Sequence, residues 1–257
     1  MSDAVKINNE RGVLSLRLAR PERRNAITVA MYSALAEAIE GAGRDPSVRV
    51  ITISGEGVDF TAGNDLADFL QSMPAPGEEA DIPVWRFLRA LAANPVPLVA
   101  AVQGNAVGIG TTMLLHCDLV LVEQGARLVM PFVDLGLVPE AASSLILPRL
   151  AGRRSAARHL LLGEPIDAER ALALGIASHV VPAGKLQESL ESVVATVLAK
   201  PAEALRLTQA LLRRDQAGEI GARMDLENGH FAERLTSQEV RLAIESFFAA
   251  RAQSKSG

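Results

Sequence analysis

The chain has 257 residues, of which 49% are hydrophobic and 22% charged, so a sizeable core needs no disulfide or metal to stabilise it. The net charge of −4 and the isoelectric point near 5.7 argue against a broad electrostatic attraction to nucleic acid or to an anionic membrane. A single cysteine, Cys117, cannot form an internal disulfide, which favours a reducing compartment. Because the first residues lack the basic and then apolar run of a signal peptide, we expect a cytoplasmic protein.

The first half of the chain alternates strand-like and helix-like stretches. Apolar and polar residues alternate over 12–19, which predicts a strand at a sheet surface. Thr28 is placed to cap a helix, and we expect that helix to end at Gly41 and Gly43. Apolar, largely β-branched segments predict three buried strands, at 48–53, 97–102 and 119–122.

The second half changes character, and from about Ser143 onward the pattern is almost entirely helical. Asp167 is a good N-cap for a helix over 168–174, and Gly175 is a good residue to end it. A last helix is predicted over 237–250. The segment 71–81 combines prolines, a glycine and acidic residues, which is typical of a surface loop and not of a domain boundary. Together these patterns predict an α/β fold with a helical extension.

Two glycine-containing turns each lead from a predicted strand into a predicted helix. The first spans 59–66, and the second spans 104–110 and enters a helix predicted over 108–115. Free backbone N–H groups at such turns can hold an anion or a developing oxyanion. The alternative is that the glycines only permit tight turns. Neither turn matches the phosphate loop or the dinucleotide-binding fingerprint.

Several segments follow one another in a specific order: Arg-Asn-Ala at 24–26, Phe-Thr-Ala-Gly-Asn-Asp-Leu at 60–66, Gly-Asn-Ala-Val-Gly-Ile-Gly at 104–110, Cys-Asp at 117–118, and 168–177. In this order they resemble the crotonase (enoyl-CoA hydratase/isomerase) superfamily, over about residues 5 to 250. The resemblance implies a crotonase-like spiral of ββα units in 1–195 and a C-terminal helical trimerisation region in 196–257. It also implies an acyl-CoA substrate, no cofactor beyond the coenzyme A of that substrate, and a homotrimer or a dimer of trimers.

The resemblance also implies which residues form the site. The backbone N–H groups of Asn64 and Ile109 would form the oxyanion hole. The implied substrate-binding residues are Arg24, Asn25, Ala26, Ala62, Gly63, Asn64, Asp65, Leu66, Gly108 and Phe132. Within this set Arg24 would meet a phosphate, unless it is an ordinary solvated arginine. Asp65 is better interpreted as bracing its turn than as acting on substrate.

The expected reaction depends on which acid or base lies beside the oxyanion hole. Hydratases of this superfamily place two glutamates around a water, and the matching positions here hold Thr112 and Phe132, neither of which activates water as a carboxylate does. Glu140, in Pro-Glu-Ala-Ala-Ser-Ser at 139–144, instead resembles the proton-shuttling glutamate of the Δ3,Δ2-enoyl-CoA isomerases. An apolar pocket that includes Phe132 would raise the pKa of such a carboxylate. We therefore predict an isomerase that moves a double bond, with Glu140 as proton carrier.

Alternatives remain at this point. Glu140 could be an ordinary carboxylate at a helix start, stabilised by the helix dipole, and Asp134 is a rival carboxylate. Hydration, isomerisation of a ring-derived acyl-CoA, or acyl-CoA binding without catalysis would also suit the family. His116 is interpreted as a half-buried histidine whose hydrogen bonds are satisfied, and no histidine or cysteine spacing indicates a metal site.

Overall fold

The computed structural model describes residues 4–71, 82–213 and 217–253. The strands are β1 (Val5–Glu10), β2 (Val13–Leu18), β3 (Val50–Gly55), β4 (Leu98–Val102), β5 (Asn105–Val107), β6 (Leu119–Glu123), β7 (Arg127–Val129), β8 (Ile166–Asp167) and β9 (His179–Val181). The α-helices are α1 (Val29–Arg44), α2 (Leu66–Gln71), α3 (Pro83–Ala93), α4 (Ile109–Thr112), α5 (Ser143–Ala151), α6 (Arg153–Leu161), α7 (Ala168–Ala173), α8 (Leu186–Leu198), α9 (Ala202–Arg213), α10 (Ala217–Leu235) and α11 (Gln238–Gln253). The predicted loop at 71–81 lies outside the described residues, apart from Gln71 at the end of α2.

The main sheet has the strand order β1-β2-β3-β4-β6-β9. The β1–β2 pair is antiparallel and every other neighbouring pair is parallel. All five residues of β4 are buried, as expected for a parallel strand that is covered on both faces. Since β3 and β4 are parallel neighbours, the two glycine turns that follow them leave the sheet at the same edge. This topology brings the two turns together.

A second, smaller sheet has the order β5-β7-β8 and includes part of the second glycine turn. Strand β5 falls inside that turn, where no strand was predicted. It pairs with β7, and the Thr61–Ala106 bridge joins it to the first turn, with Thr61 N–H donating to Asn105 O at 3.0 Å. A further bridge joins Ile27 to Asn64. Backbone hydrogen bonds therefore join the two turns and fix how they are aligned with each other.

Helix α1 begins as predicted but does not end as predicted. The Thr28 side chain accepts a hydrogen bond from Met31 N–H at 3.3 Å, which confirms the cap. The helix continues through Gly41 and Gly43 to Arg44, so the prediction that these glycines end it is wrong. A Cβ at Gly43 would lie 3.1 Å from Pro95 Cδ, so close packing explains the glycine there.

The second half is mainly helical, with two short strands that were not predicted, β8 and β9. Asp167 accepts a hydrogen bond from Arg170 N–H at 2.7 Å, which confirms it as the cap of α7. The helix predicted over 108–115 is the short α4 followed by a 3₁₀ turn at Met113–His116. The expected domain boundary at 195/196 falls inside α8, which packs against the main sheet. In the portion of the chain that the structure describes, no helix is long and apolar enough to cross a membrane.

Candidate active site

A cavity of about 540 Å³ lies where the two glycine turns meet the segment 131–140 and helices α10 and α11. Most of the residues that the sequence assigned to the site line it: Ala26, Ala62, Gly63, Asn64, Asp65, Leu66, Gly108, Ile109, Phe132 and Glu140. Arg24 and Asn25 are not among the lining residues, whereas the neighbouring Arg23 is. The fold therefore gathers the two predicted oxyanion donors and the predicted proton carrier around one cavity.

The two predicted oxyanion donors are free of backbone acceptors. Ile109 is the first residue of α4, so its N–H group has no acceptor within the helix. Among the hydrogen bonds of the described residues, none uses the N–H group of Asn64 or of Ile109. One neighbouring amide of each donor is occupied, since Asp65 N–H donates to Ile27 O and Gly108 N–H donates to Val129 O. The amides of Asn64 and Ile109 are thus left able to donate to a ligand in the cavity.

Glycine is required where the two turns approach each other. Gly63 has φ 84°, a conformation that side chains disfavour, and a Cβ there would lie 2.6 Å from Val107 O. A Cβ at Gly110 would lie 2.4 Å from Thr61 Cγ2. The glycines therefore do more than permit a turn, because they allow the two layers that carry the donor amides to stack.

Tyr32 supports Asn64 and was not predicted as part of the site. Its hydroxyl donates to Asn64 Oδ1, and its ring is fully buried on α1 against Phe87, with ring centroids 5.6 Å apart. Burial, and then the charge of Glu140, raise the pKa of Tyr32 well above its ordinary value. The hydroxyl therefore keeps its proton and remains a donor that orients the Asn64 side chain.

Glu140 is a buried carboxylate with only 4% of its surface exposed. Burial raises its pKa to about 8, and the charge of Glu227 acts in the same direction, while the Thr112 hydroxyl lowers it. Thr112 is close enough to influence Glu140, although neither Thr112 Oγ1 nor Glu140 Oε1 completes a hydrogen bond. The expected rise in the pKa of this carboxylate is present, and one of its oxygens is left without a protein partner.

The backbone after Glu140 is strained and held by several hydrogen bonds. Ala141 and Ala142 have φ values of 61° and 55°, in the left-handed region that residues with a Cβ seldom occupy. Ser143 Oγ donates to Glu140 O at 2.6 Å. His116 Nε2 lies 2.8 Å from Ala141 O, and because a carbonyl only accepts, this nitrogen carries the proton. Burial lowers the pKa of His116 to about 4, so the imidazole is neutral; the expected hydrogen bond is confirmed, but the residue is buried and not half-buried.

The other carboxylates of the cavity are less suited to proton transfer. Asp65 Oδ2 accepts from Arg20 Nη1 at 3.1 Å, which is consistent with bracing the turn. Asp134 lines the cavity but is exposed to solvent. Thr112 and Phe132, which the sequence resemblance matched to the two hydratase glutamates, are both buried, Thr112 near Glu140 and Phe132 in the cavity wall. Within the described residues, Glu140 is thus the buried carboxylate that lines the cavity.

The 24–26 loop is positioned by Asn25. This residue is completely buried, and its Nδ2 donates to Glu56 O and to Asp59 O, both at 2.8 Å, while its carbonyl accepts from Thr61 Oγ1 at 2.7 Å. The Asn25 side chain therefore holds the loop in place and does not face the cavity, so its expected contact with substrate is not seen. Arg24 is exposed, with its Nε 3.8 Å from Asp59 Oδ2.

A buried acid with a raised pKa should cost stability, and this is testable. Above pH 4.5, the ordinary value for glutamate, residue 140 ionises in the unfolded chain but stays protonated in the folded protein up to about pH 8. The wild type therefore loses stability as the pH rises through this window, at about 1.4 kcal/mol per pKa unit. We expect Glu140→Gln to be more stable than wild type by roughly 2–4 kcal/mol at pH 8.

The difference should shrink to about 1 kcal/mol or less at pH 5, where the folded wild-type residue is neutral like glutamine. Urea unfolding of both proteins at the two pH values measures it. Equal stabilities at pH 8 would mean that Glu140 ionises without penalty and is not a buried acid.

Three comparisons with known proteins give consistent matches. The family described as Enoyl-CoA hydratase/isomerase matches residues 8–254. The chain is 31% identical to the 1,2-epoxyphenylacetyl-CoA isomerase of Escherichia coli strain K12, with the full length of both chains covered. It is also 31% identical to enoyl-CoA delta isomerase 2 of Rattus norvegicus, over 96% of this chain and 63% of that protein. A crystal structure of an enoyl-CoA hydratase/isomerase from Pseudoalteromonas atlantica T6c superposes with a TM-score of 0.91, at 36% identity, over 96% of this chain and 98% of that chain.

Proposed function

Since the chain belongs to the enoyl-CoA hydratase/isomerase family, we propose that it moves the double bond of a 3-enoyl-CoA to the 2-trans position. The observation that carries the proposal is Glu140, the buried cavity carboxylate among the described residues, which has a free oxygen and a raised pKa. Both positions at which a hydratase carries a glutamate lack a carboxylate, because they hold Thr112 and Phe132. One carboxylate is sufficient for double-bond migration, whereas the two-glutamate arrangement for hydration is missing.

The proposed reaction begins with the thioester oxygen accepting hydrogen bonds from the N–H groups of Asn64 and Ile109. Glu140 removes a proton from C2, and the C–H electron pair forms a dienolate whose charge lies on the thioester oxygen. When the carbonyl re-forms, C2=C3 is made and the C3=C4 electron pair takes the proton back from Glu140 at C4. The carboxylate is regenerated and no other reactant is consumed.

The environment of Glu140 suits both halves of this proton transfer. A base with a pKa of about 8 is stronger than an exposed carboxylate; about a tenth of it is ionised at pH 7, and the acid formed when it takes the C2 proton can deliver that proton to C4. Apolar residues of the cavity wall, including Phe132, Leu137 and Phe231, limit the water that could add to the conjugated product. Isomerisation is therefore favoured over hydration by the position of the base and by the apolar wall.

A second candidate is isomerisation of a ring-derived acyl-CoA, which would use the same oxyanion hole and the same base. The full-length similarity to the Escherichia coli 1,2-epoxyphenylacetyl-CoA isomerase favours it. Phe132 and Phe231 also line the cavity and could pack against a planar ring. This candidate differs from the first in the acyl group and not in the residues that act.

Supplying substrates separately distinguishes these reactions. We expect a 3-enoyl-CoA to be converted to the 2-trans isomer, and a 2-trans-enoyl-CoA to give little 3-hydroxyacyl-CoA, both followed by chromatography of the products. A ring-derived epoxyacyl-CoA offered in a third reaction tests the second candidate. Rapid hydration of the 2-enoyl substrate with no turnover of the 3-enoyl substrate would exclude the proposed function. Binding of all three without turnover would indicate a non-catalytic acyl-CoA-binding protein.

A further inference from the structure

A second buried glutamate, Glu227 of α10, contacts the backbone that carries Glu140. It is 5% exposed, and its two carboxylate oxygens accept hydrogen bonds from Ala142 N–H at 2.6 Å and from Ser144 N–H at 3.0 Å. Both amides lie at the start of α5, where no side chain of the helix itself provides a cap. Glu227 therefore satisfies the free N–H groups of α5 from a distant part of the chain.

These hydrogen bonds act on a segment that would not hold its conformation alone. The left-handed conformations of Ala141 and Ala142 are unfavourable for residues with a Cβ, so the surrounding structure must stabilise them. Ala141 O accepts a hydrogen bond from His116, and Ala142 N–H donates one to Glu227. Glu140 directly precedes these two alanines, so their conformation fixes where its carboxyl group lies.

Few charges besides Glu140 face Glu227. Burial raises the pKa of Glu227, and the hydrogen bonds from Ser144 and Ala142 and the charge of Arg223 lower it. Arg223, on the same helix, donates to Ser144 Oγ at 3.1 Å. His116 is neutral. The charged side chains of the neighbouring helices form ion pairs with other residues or lie on the surface. In α3, Arg89 pairs with Asp225 and Arg86 with Glu40, and in α5, Arg149 pairs with Glu219. In α11, Glu239 pairs with Arg234, and Arg241 and Glu245 are exposed. Among the described residues, Glu140 is a group whose pKa the charge of Glu227 raises.

We propose that Glu227 is a positioning residue, which fixes the Glu140 carboxyl group in the cavity by capping α5 and holds a negative charge beside it. This inference rests on the proposed role of Glu140 as proton carrier. Because both carboxylates are buried, the charge of Glu227 raises the pKa of Glu140 further than burial alone. Glu227 would then influence both where the base lies and how strong it is.

The test compares wild type with Glu227→Gln, which keeps the size of the side chain but removes the charge and one acceptor. The titration of Glu140 is followed by NMR of ¹³C-labelled glutamate carboxyl groups, and the Glu140 signal is identified by its absence in Glu140→Gln. We expect the midpoint in Glu227→Gln to fall by about one pH unit and to stay above the ordinary value, since burial persists. We also expect kcat to fall about tenfold with KM nearly unchanged.

Glu219→Gln is the matched control, because Glu219 lies on the same helix but is exposed and pairs with Arg149. It should change neither the titration nor kcat. If Glu227→Gln does not fold, Glu227→Asp replaces it, since it keeps the charge but shortens the reach to the two amides. For that variant we expect a titration near the wild-type value and a lowered kcat.

If Glu227→Gln folds, an unchanged Glu140 titration together with an unchanged kcat would overturn the inference. If only Glu227→Asp folds, a wild-type kcat in that variant would overturn it. The titration needs no substrate, so it separates this inference from the proposed function. Failure of every 3-enoyl-CoA to react would remove the proposed function and leave the titration result standing.

Discussion

Replacing Glu140 with glutamine is expected to lower kcat for double-bond migration by about a thousandfold, within the range attributed to a positioned general base. Glutamine has nearly the same shape but cannot accept the C2 proton. The proposed oxyanion donors at Asn64 and Ile109 are backbone groups and remain, so affinity for an acyl-CoA should change by less than about threefold. Turnover of a 3-enoyl-CoA and calorimetric titration with the 2-enoyl product measure the two effects separately.

Asp134→Asn provides the comparison, because Asp134 is the rival carboxylate that lines the same cavity. It is exposed, and we expect its removal to change kcat by less than about threefold. If Asp134→Asn were inactive while Glu140→Gln kept its turnover, the proton carrier would be Asp134, and the assignment made from both sequence and burial would be wrong.

Replacing Ile109 with proline should remove one oxyanion donor and lower kcat by about 10²–10³-fold. Ile109 is the first residue of α4, which is the helix position where proline is best tolerated because the N–H group there has no helical acceptor. The substitution therefore removes the proposed catalytic hydrogen bond without removing one that holds the helix. The loss should appear in kcat, since the bond strengthens as charge develops on the thioester oxygen.

Ile109→Ala is the matched control for this experiment. Ile109 is 1% exposed, so both substitutions lose buried packing, alanine more than proline, but alanine keeps the N–H group. We expect Ile109→Ala to retain most of kcat and to lower the midpoint of thermal unfolding. Equal turnover in the proline and alanine variants, both folded by circular dichroism, would show that this amide does not stabilise the transition state.

Local patterns predicted much of the fold because the deciding interactions are themselves local. The caps at Thr28 and Asp167 and the buried strands β3, β4 and β6 are examples, since each depends on a few neighbouring residues. The glycine pair in α1 was misinterpreted because an intrinsic cost of about 1 kcal/mol for each glycine was outweighed by tertiary packing. Ala42, between the two glycines, is buried, so ending the helix earlier would expose it.

Motifs in the sequence pointed to Asn64, Ile109 and Glu140, which the fold brings to one cavity, and their catalytic roles stay predictions. Supporting residues had no such signal. Tyr32 and Glu227 lie on helices, and nothing in their local sequence distinguishes them from ordinary helical residues. Their roles depend on contacts with residues far along the chain. The expected trimer and the cytoplasmic location remain predictions.

The support that α10 gives to α5 has a consequence for how the protein loses activity. Glu227 reaches the catalytic segment from a helix that packs on α3, α5 and α11, at the periphery of the main sheet. Sub-global opening of a peripheral helix needs less free energy than unfolding of a sheet core. A transient detachment of α10 would release the two left-handed alanines while β3, β4 and β6 stayed folded. If Glu140 and Glu227 act as proposed, activity would then be lost below the global melting temperature, at the point where this helix opens locally.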